Sequence, residues 1–337
     1  MTKRTMSMWA VIILSTAIAA LAQRPAAVTH TFLAIDYDNE KLLEIGLDGQ
    51  IKRTVAVGKQ PHEVQIDAKN GRAFVSNTTE PTVSMIEISS FKHLEHLKSP
   101  YFGDTARGAL PHGMAQSRDL NTLYVTTERY EKPGVVAYDW KTGAARKYIE
   151  IGQRGGHLIR LHPKLDRAYT MNRSSSSITV IDMVKEEAIK NISTPGSPIG
   201  FDLSPSGDLW VGTNDGAVYI IDTKTEEVRK KLMGKGTGNG RAYVSLDGKL
   251  GIVTHADGAD AYDAVKEEWI SYFPLENDQK ATGIKHAIYV CFVPGSDKMY
   301  ISLINASTIV VYDMKTLKEV DRWKLPARAY SLDLFTK

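Results

Sequence analysis

The 337-residue sequence predicts an all-β fold, a seven-bladed β-propeller of four-stranded antiparallel blades closed by the C-terminal strand joining an N-terminal three-stranded blade. Three observations predict it. A turn followed by a short apolar run returns at a nearly fixed period, each period holds four strand-like runs, and the chain ends supply complementary parts of one further period.

The first strands set the period. They are His62-Glu63-Val64, His112-Gly113-Met114, His157-Leu158-Ile159, Ile199-Gly200-Phe201, Arg241-Ala242-Tyr243, His286-Ala287-Ile288 and Arg328-Ala329-Tyr330, spaced by 50, 45, 42, 42, 45 and 42 residues. Second strands follow as "RAFVSN", "TLYVTT", "RAYTMN", "LWVGTN", "GIVTH" and "MYISLIN". They are rich in β-branched and aromatic residues and bounded by turn formers. The third strands end on an acid: Glu87, Asp139, Asp182, Asp222, Asp263 and Asp313. A carboxylate there can accept hydrogen bonds from the turn backbone, so these are read as turn formers. Fourth strands such as "ARKYIEI" and "EVRKKLM" are polar, as an outer edge facing water requires.

The ends complete the count. Residues 31–58 hold three strands without a first one, and "RAYSLDLF" near the C-terminus is a first strand without the other three. No dozen-residue segment shows a helical period. Before this body, residues 1–22 read as a signal peptide, with Lys3 and Arg4, an apolar stretch and Ala20-Leu21-Ala22 ahead of the cleavage point. Residues 23–30 are a tail and residues 31–337 the propeller, which gives a secreted or periplasmic protein with no membrane span after cleavage. Cys291 is the sole cysteine, so no internal disulfide exists and stability must come from a large core. Set in "HAIYVCFV", it reads as a buried hydrophobe.

Formal charge is +3 with acids and bases interspersed. No basic block makes nucleic acid the default partner, although a groove for a nucleic-acid strand is compatible with this balance. Gly-x-Ser-x-Gly, His-Glu-x-x-His and Cys-x-x-Cys patterns do not occur, so covalent serine or cysteine catalysis has no positive support. The loops "GKGTGNG" and "HADGAD" lack the P-loop and calcium-loop spacings.

"YVTT" at Tyr124 and "FVSN" at Phe74, followed by "SITVIDM" or "TVSMIEI", resemble the YVTN-type repeats of secreted and surface-layer seven-bladed propellers. The resemblance implies the fold over essentially the whole mature chain. It implies little about activity, because that family includes DNA-binding periplasmic proteins, lactonase-like enzymes and proteins of unknown role.

In a blade the start of the innermost strand and the end of the second strand lie on one rim. His62, His112, His157 and His286 should therefore face one mouth of the central channel, with Ile199, Arg241 (or Gly240 in another register) and Arg328 in the remaining slots. A second ring farther out is expected from Asp36, Asn77, Thr127, Asn172, Thr213 and His255. The imidazoles are candidate ligands for one divalent transition metal ion or candidate acid/base groups. Arg241 and Arg328 are candidate anchors for an anionic ligand, with Asn77, Asn172, His255 and Asp36 as further contacts. Two functions follow. One is a monomeric binding protein for a small molecule, protein or glycan. The other is a lyase or hydrolase, lactonase-like, acting on a small anionic or cyclic substrate.

Overall fold

The computed structural model describes residues 28–102, 110–128, 133–255, 258–275 and 289–337. The expected signal peptide, part of the tail and His286 lie outside the described residues. Among the described residues the chain is all-β, with one 3-10 turn at Arg173–Ser175 and no α-helix. No helix among them is long and apolar enough to cross a membrane.

Runs of four strands form antiparallel meanders, giving five four-stranded sheets and one of eight. The eight-stranded sheet is two four-stranded meanders joined by a single parallel pairing of Gly200 with Arg241. In a further sheet the C-terminal strand Ala329–Thr336 lies beside His30–Asp36, which continues to Lys41–Gly46 and Ile51–Ala56. The arrangement fits a β-propeller.

Burial explains why the middle strands read as unbroken apolar runs. Arg72–Asn77 and Thr82–Glu87 are covered on both faces by neighbouring sheets, whereas the outermost strand Ile51–Ala56 stays largely in water. The hydrophobic clusters are shared between sheets. Leu33 and Ile35 pack with Val75 and Ile86 of the next sheet, Phe74 and Val83 with Val125 and Val136 of the one after. Ile252 and Ala259 similarly pack with Val290 and Ile301, while Tyr300 and Val311 pack with Phe32 and Leu43 at the chain start. Each buried side chain of this size contributes about 1.5–3 kcal/mol.

The acids at the ends of the third strands form turns. Asp139, Asp182, Asp222, Asp263 and Asp313 each accept the backbone N–H groups two and three residues on, at 2.7–3.3 Å. Four residues after these acids the backbone turns left-handed, at Gly143, Glu186, Glu226, Glu267 and Leu317. Glu87 instead accepts the Ser90 hydroxyl at 2.6 Å.

Candidate functional site

Five inner strands open with the same one-residue shift, and three of them carry a histidine in it. Pro61 faces Asn77 and Val64 faces Val75, so His62 and Glu63 together stand opposite the single residue Ser76. His112 and Gly113 stand opposite Thr126 in the same way, and His157 and Leu158 opposite Met171. One extra residue breaks the alternation of the strand and re-aims its side chains. The bulge amides are satisfied by hydroxyls set in the partner strand: Glu63 N–H donates to Ser76 Oγ at 3.1 Å and Gly113 N–H to Thr126 Oγ1 at 2.9 Å.

The re-aimed imidazoles meet. Ring centroids of His62 and His112 lie 4.0 Å apart, those of His112 and His157 3.8 Å, and those of His62 and His157 6.4 Å. Gly113 makes the closest of these approaches possible. A Cβ there would sit 2.5 Å from the His157 carbonyl oxygen, and Thr126 Oγ1 donates to that same oxygen at 2.6 Å. Any larger residue would push the two strands apart.

Two carboxylates complete the cluster. His62, Glu63 and His112 form one group of potential ligands and His112, Glu128 and His157 another, each with its ligand atoms within 4.8 Å of one another. Glu128 Oε2 lies 3.7 Å from His112 Nε2, and Arg173 approaches Glu128 at 3.9 Å. His112 is 2% exposed, and its Nδ1 has no hydrogen-bond partner among the described residues. Burial, reinforced by His157 and His62, holds its pKa well below the ordinary imidazole value. His112 is therefore neutral near pH 7, the form that binds metals.

Beneath the imidazoles a polar layer crosses between distant sheets. Tyr289 donates its hydroxyl proton to Glu63 Oε1 at 2.7 Å, Arg241 approaches the same oxygen at 3.6 Å, and the guanidinium carbon lies 4.1 Å from the Tyr289 ring centre. Burial pushes the Glu63 carboxyl up, but His62, Arg241 and Tyr289 outweigh it and hold it below its usual range. Burial likewise opposes the Arg241 charge, yet Tyr243, Tyr289 and Glu63 keep it firmly protonated.

Other expected site residues stand elsewhere. Arg328 is two positions out of register, because Asp36, the counterpart of Asn77, faces Ala329. Tyr330 thus takes the histidine's place, 4.4 Å from the His62 ring, while Arg328 forms a bidentate ion pair with Asp38 and covers the Tyr37 ring. Arg241 faces Thr254, the counterpart of Ser76, in a strand without a bulge, so a single residue stands where His62 and Glu63 stand together in their sheet. His286 lies outside the described residues, and in that sheet Tyr289 stands opposite Ser302, the counterpart of Ser76.

The expected outer ring is turned into the sheets. Asn77 and Asn172 are fully buried and each donates its amide to two hydroxyls of its own sheet, Thr82 with Ser84 and Ser177 with Thr179. Thr127 bonds the backbone of Gly134 and Thr213 that of Ala217. His255 is paired at 3.0 Å with Asp260, which also accepts the Trp269 indole N–H at 2.8 Å. Asp36 caps a turn through Asn39. Such side chains replace backbone partners where strands end, a structural use. Glu63, Glu128, Tyr289 and Tyr330 were missed. Glu63 carried a signal, since it follows His62 inside the quoted first strand, and Glu128 extends the run "TLYVTT" by one residue.

A cavity of about 500 Å³ opens on the far side of the polar layer, with Glu63, Arg241 and Tyr289 in its floor. Cys291 lines it, and burial raises its thiol pKa well above the ordinary value.

The chain is similar in fold to hydrazine synthase of Kuenenia stuttgartiensis, at 17% identity over 80% of this chain and 88% of that one, with a TM-score of 0.67. It is also similar to a functionally unknown protein from Desulfotomaculum acetoxidans, at 12% identity over 91% of this chain and 98% of that one, with a TM-score of 0.75. At such identities the likeness concerns the fold alone. No protein-family model and no curated protein matches the chain.

Proposed function

We propose that the protein is an exported, monomeric seven-bladed propeller of the YVTN type that holds one divalent transition metal ion at the histidine mouth of its channel. The leader-like residues 1–22 support export. The edge pairing of Ala329–Thr336 with His30–Asp36, and hydrophobic clusters shared from sheet to sheet up to Tyr300 with Phe32, support closure into a ring.

One observation carries the metal: equivalent bulges in three successive sheets aim His62, His112 and His157 at one another, with His112 buried and Nδ1 unpartnered among the described residues. An ion with bonds of about 2.1 Å needs tetrahedral ligand atoms about 3.4 Å apart, so atoms within 4.8 Å need only a small inward shift. Glu63 is occupied by Tyr289 and Arg241, so Glu128 is the carboxylate that joins His112 and His157. Two imidazoles and a carboxylate suit zinc or iron(II) and leave positions open for a ligand. Bound there, the ion would polarise an oxygen of a small anionic or cyclic ligand, as a lactonase-like hydrolase or lyase requires.

Elemental analysis of the tag-free protein tests this, after loading with zinc or iron(II) and dialysis. About one ion per chain is expected in the wild type. His112→Ala and His157→Ala should abolish it and the half-exposed control His93→Ala retain it. A metal-free wild type, or equal metal in all four proteins, contradicts the proposal.

A further inference from the structure

The cavity beyond the polar layer has its own chemistry. Register fixes which residues face it. Val64, Ile159, Phe201 and Leu332 each stand opposite the matching residue of their partner strands, Val75, Thr170, Val211 and Ala34. The next residue of each strand is then equivalent: Gln65, Arg160, Asp202 and Asp333, and all four line the cavity. Apolar Leu158, Leu332 and Leu334 share its wall.

The charges in this ring do not settle one another. Arg160 donates to its neighbour's carbonyl, Ile159 O, at 3.0 Å and makes no ion pair among the described residues. Asp202 accepts only backbone N–H groups, from Leu203 at 2.9 Å and Val244 at 3.2 Å, and Asp333 accepts one, from Leu334 at 2.8 Å. Burial drives both carboxyls upward against a partial offset from Arg160, Asp333 to about 6. Below them the Glu63 and Arg241 charges already balance. A chamber with an uncommitted guanidinium, two carboxylates lacking cations and apolar walls is complementary to a ligand carrying both signs.

We infer that this chamber binds a small zwitterion of the amino-acid class, its carboxylate held by Arg160 and its ammonium by Asp333 and Asp202. Arg160 and Asp202 stand on successive inner strands, and Asp333 on the last. The inference is independent of a metal at His112, since none of the three residues belongs to that cluster.

Isothermal titration of the full chain with L-leucine and L-glutamine tests it, with butylamine and butyrate as probes bearing one charge each. At least one amino acid should bind saturably and more tightly than either single-charge probe. Arg160→Gln and Asp333→Asn should each weaken that binding at least tenfold while leaving metal content unchanged. Binding of butylamine or butyrate as tight as that of the amino acid, no amino-acid binding, or unchanged affinity in both variants overturns the inference. A second readout needs no variant. Mercurial labelling of Cys291, the only thiol and a wall residue of the chamber, should slow when the amino acid is added to wild type, and an unaltered rate counts against occupancy.

Discussion

The sheets that begin at His62, His112 and His157 and those that contribute Arg241 and Tyr289 solve the same local problem in opposite ways. In the first group an extra residue at the start of the inner strand throws an imidazole sideways toward its neighbour, and a hydroxyl from the second strand repairs the backbone in two of the three. In the second group the pairing runs without a shift, and long side chains reach across to Glu63 instead. One group of sheets therefore gathers imidazoles and the other supplies a counter-charge and a phenol. A one-residue shift present in some inner strands and absent from others makes otherwise similar sheets present different side chains to one another.

The comparison can be broken most forcefully at Glu63, the residue both groups share. Glu63→Ala leaves Arg241 buried without its carboxylate, which costs about 3–5 kcal/mol. Chemical denaturation should show that loss, with Glu63→Gln milder because an acceptor for Tyr289 survives. A loss below about 1 kcal/mol would mean that the two groups are not coupled through this residue.

A smaller effect is expected at Asp333, whose carboxyl is pushed up to about 6 by burial. An unfolded aspartate titrates near pH 4, so between about pH 4 and 6 the folded chain retains a proton that the unfolded chain has released. Stability from this group is present at low pH and is lost as pH rises through 6, where its ionised form opposes folding by on the order of 2 kcal/mol. Asp333→Asn should melt several degrees above wild type at pH 7.5 and together with it at pH 4. The reverse pattern would show the carboxylate to be stabilised by a cation in the folded chain.

The smallest change sharpens the role of the bulge. Gly113→Ala alters no ligand atom but places a methyl group against the His157 carbonyl, so the His112 and His157 rings must separate. Metal affinity should fall about tenfold, in the range of changes to groups that orient ligands. Undiminished affinity would show that the close approach of these strands is not what gathers the imidazoles.

Much of the architecture was legible because period, turn acids and edge polarity are local. Asp182 or Asp313 followed by a turn looks the same in sequence as in space, and the missing first strand near the N-terminus pointed to the last one at the C-terminus. The site was legible only where a residue's place depends on its own strand, as for His62, His112 and His157. Arg328 was misplaced because the first-strand pattern has no fixed anchor, and a shift of two residues leaves the side chain on the same face of an ordinary strand but at another depth. Tyr330 takes the slot instead. Asn77 and His255 were read as rim residues since strand ends reach the rim, yet a strand end also has backbone groups to satisfy, and Asn77, Asn172 and His255 are turned inward to hydroxyls or to Asp260. The period places Arg241 at the same mouth as His62, but nothing in it could show that Tyr289 donates to Glu63, because that contact joins residues far apart in sequence.

The most direct test is a crystal of the metal-loaded protein with data collected at the absorption edge of the ion. An anomalous peak about 2.0–2.2 Å from imidazole nitrogens of His112 and His157, with Glu128 turned toward it, is the expected result. A loaded crystal with no peak among these rings, or with the three imidazoles facing away from one another, would contradict it.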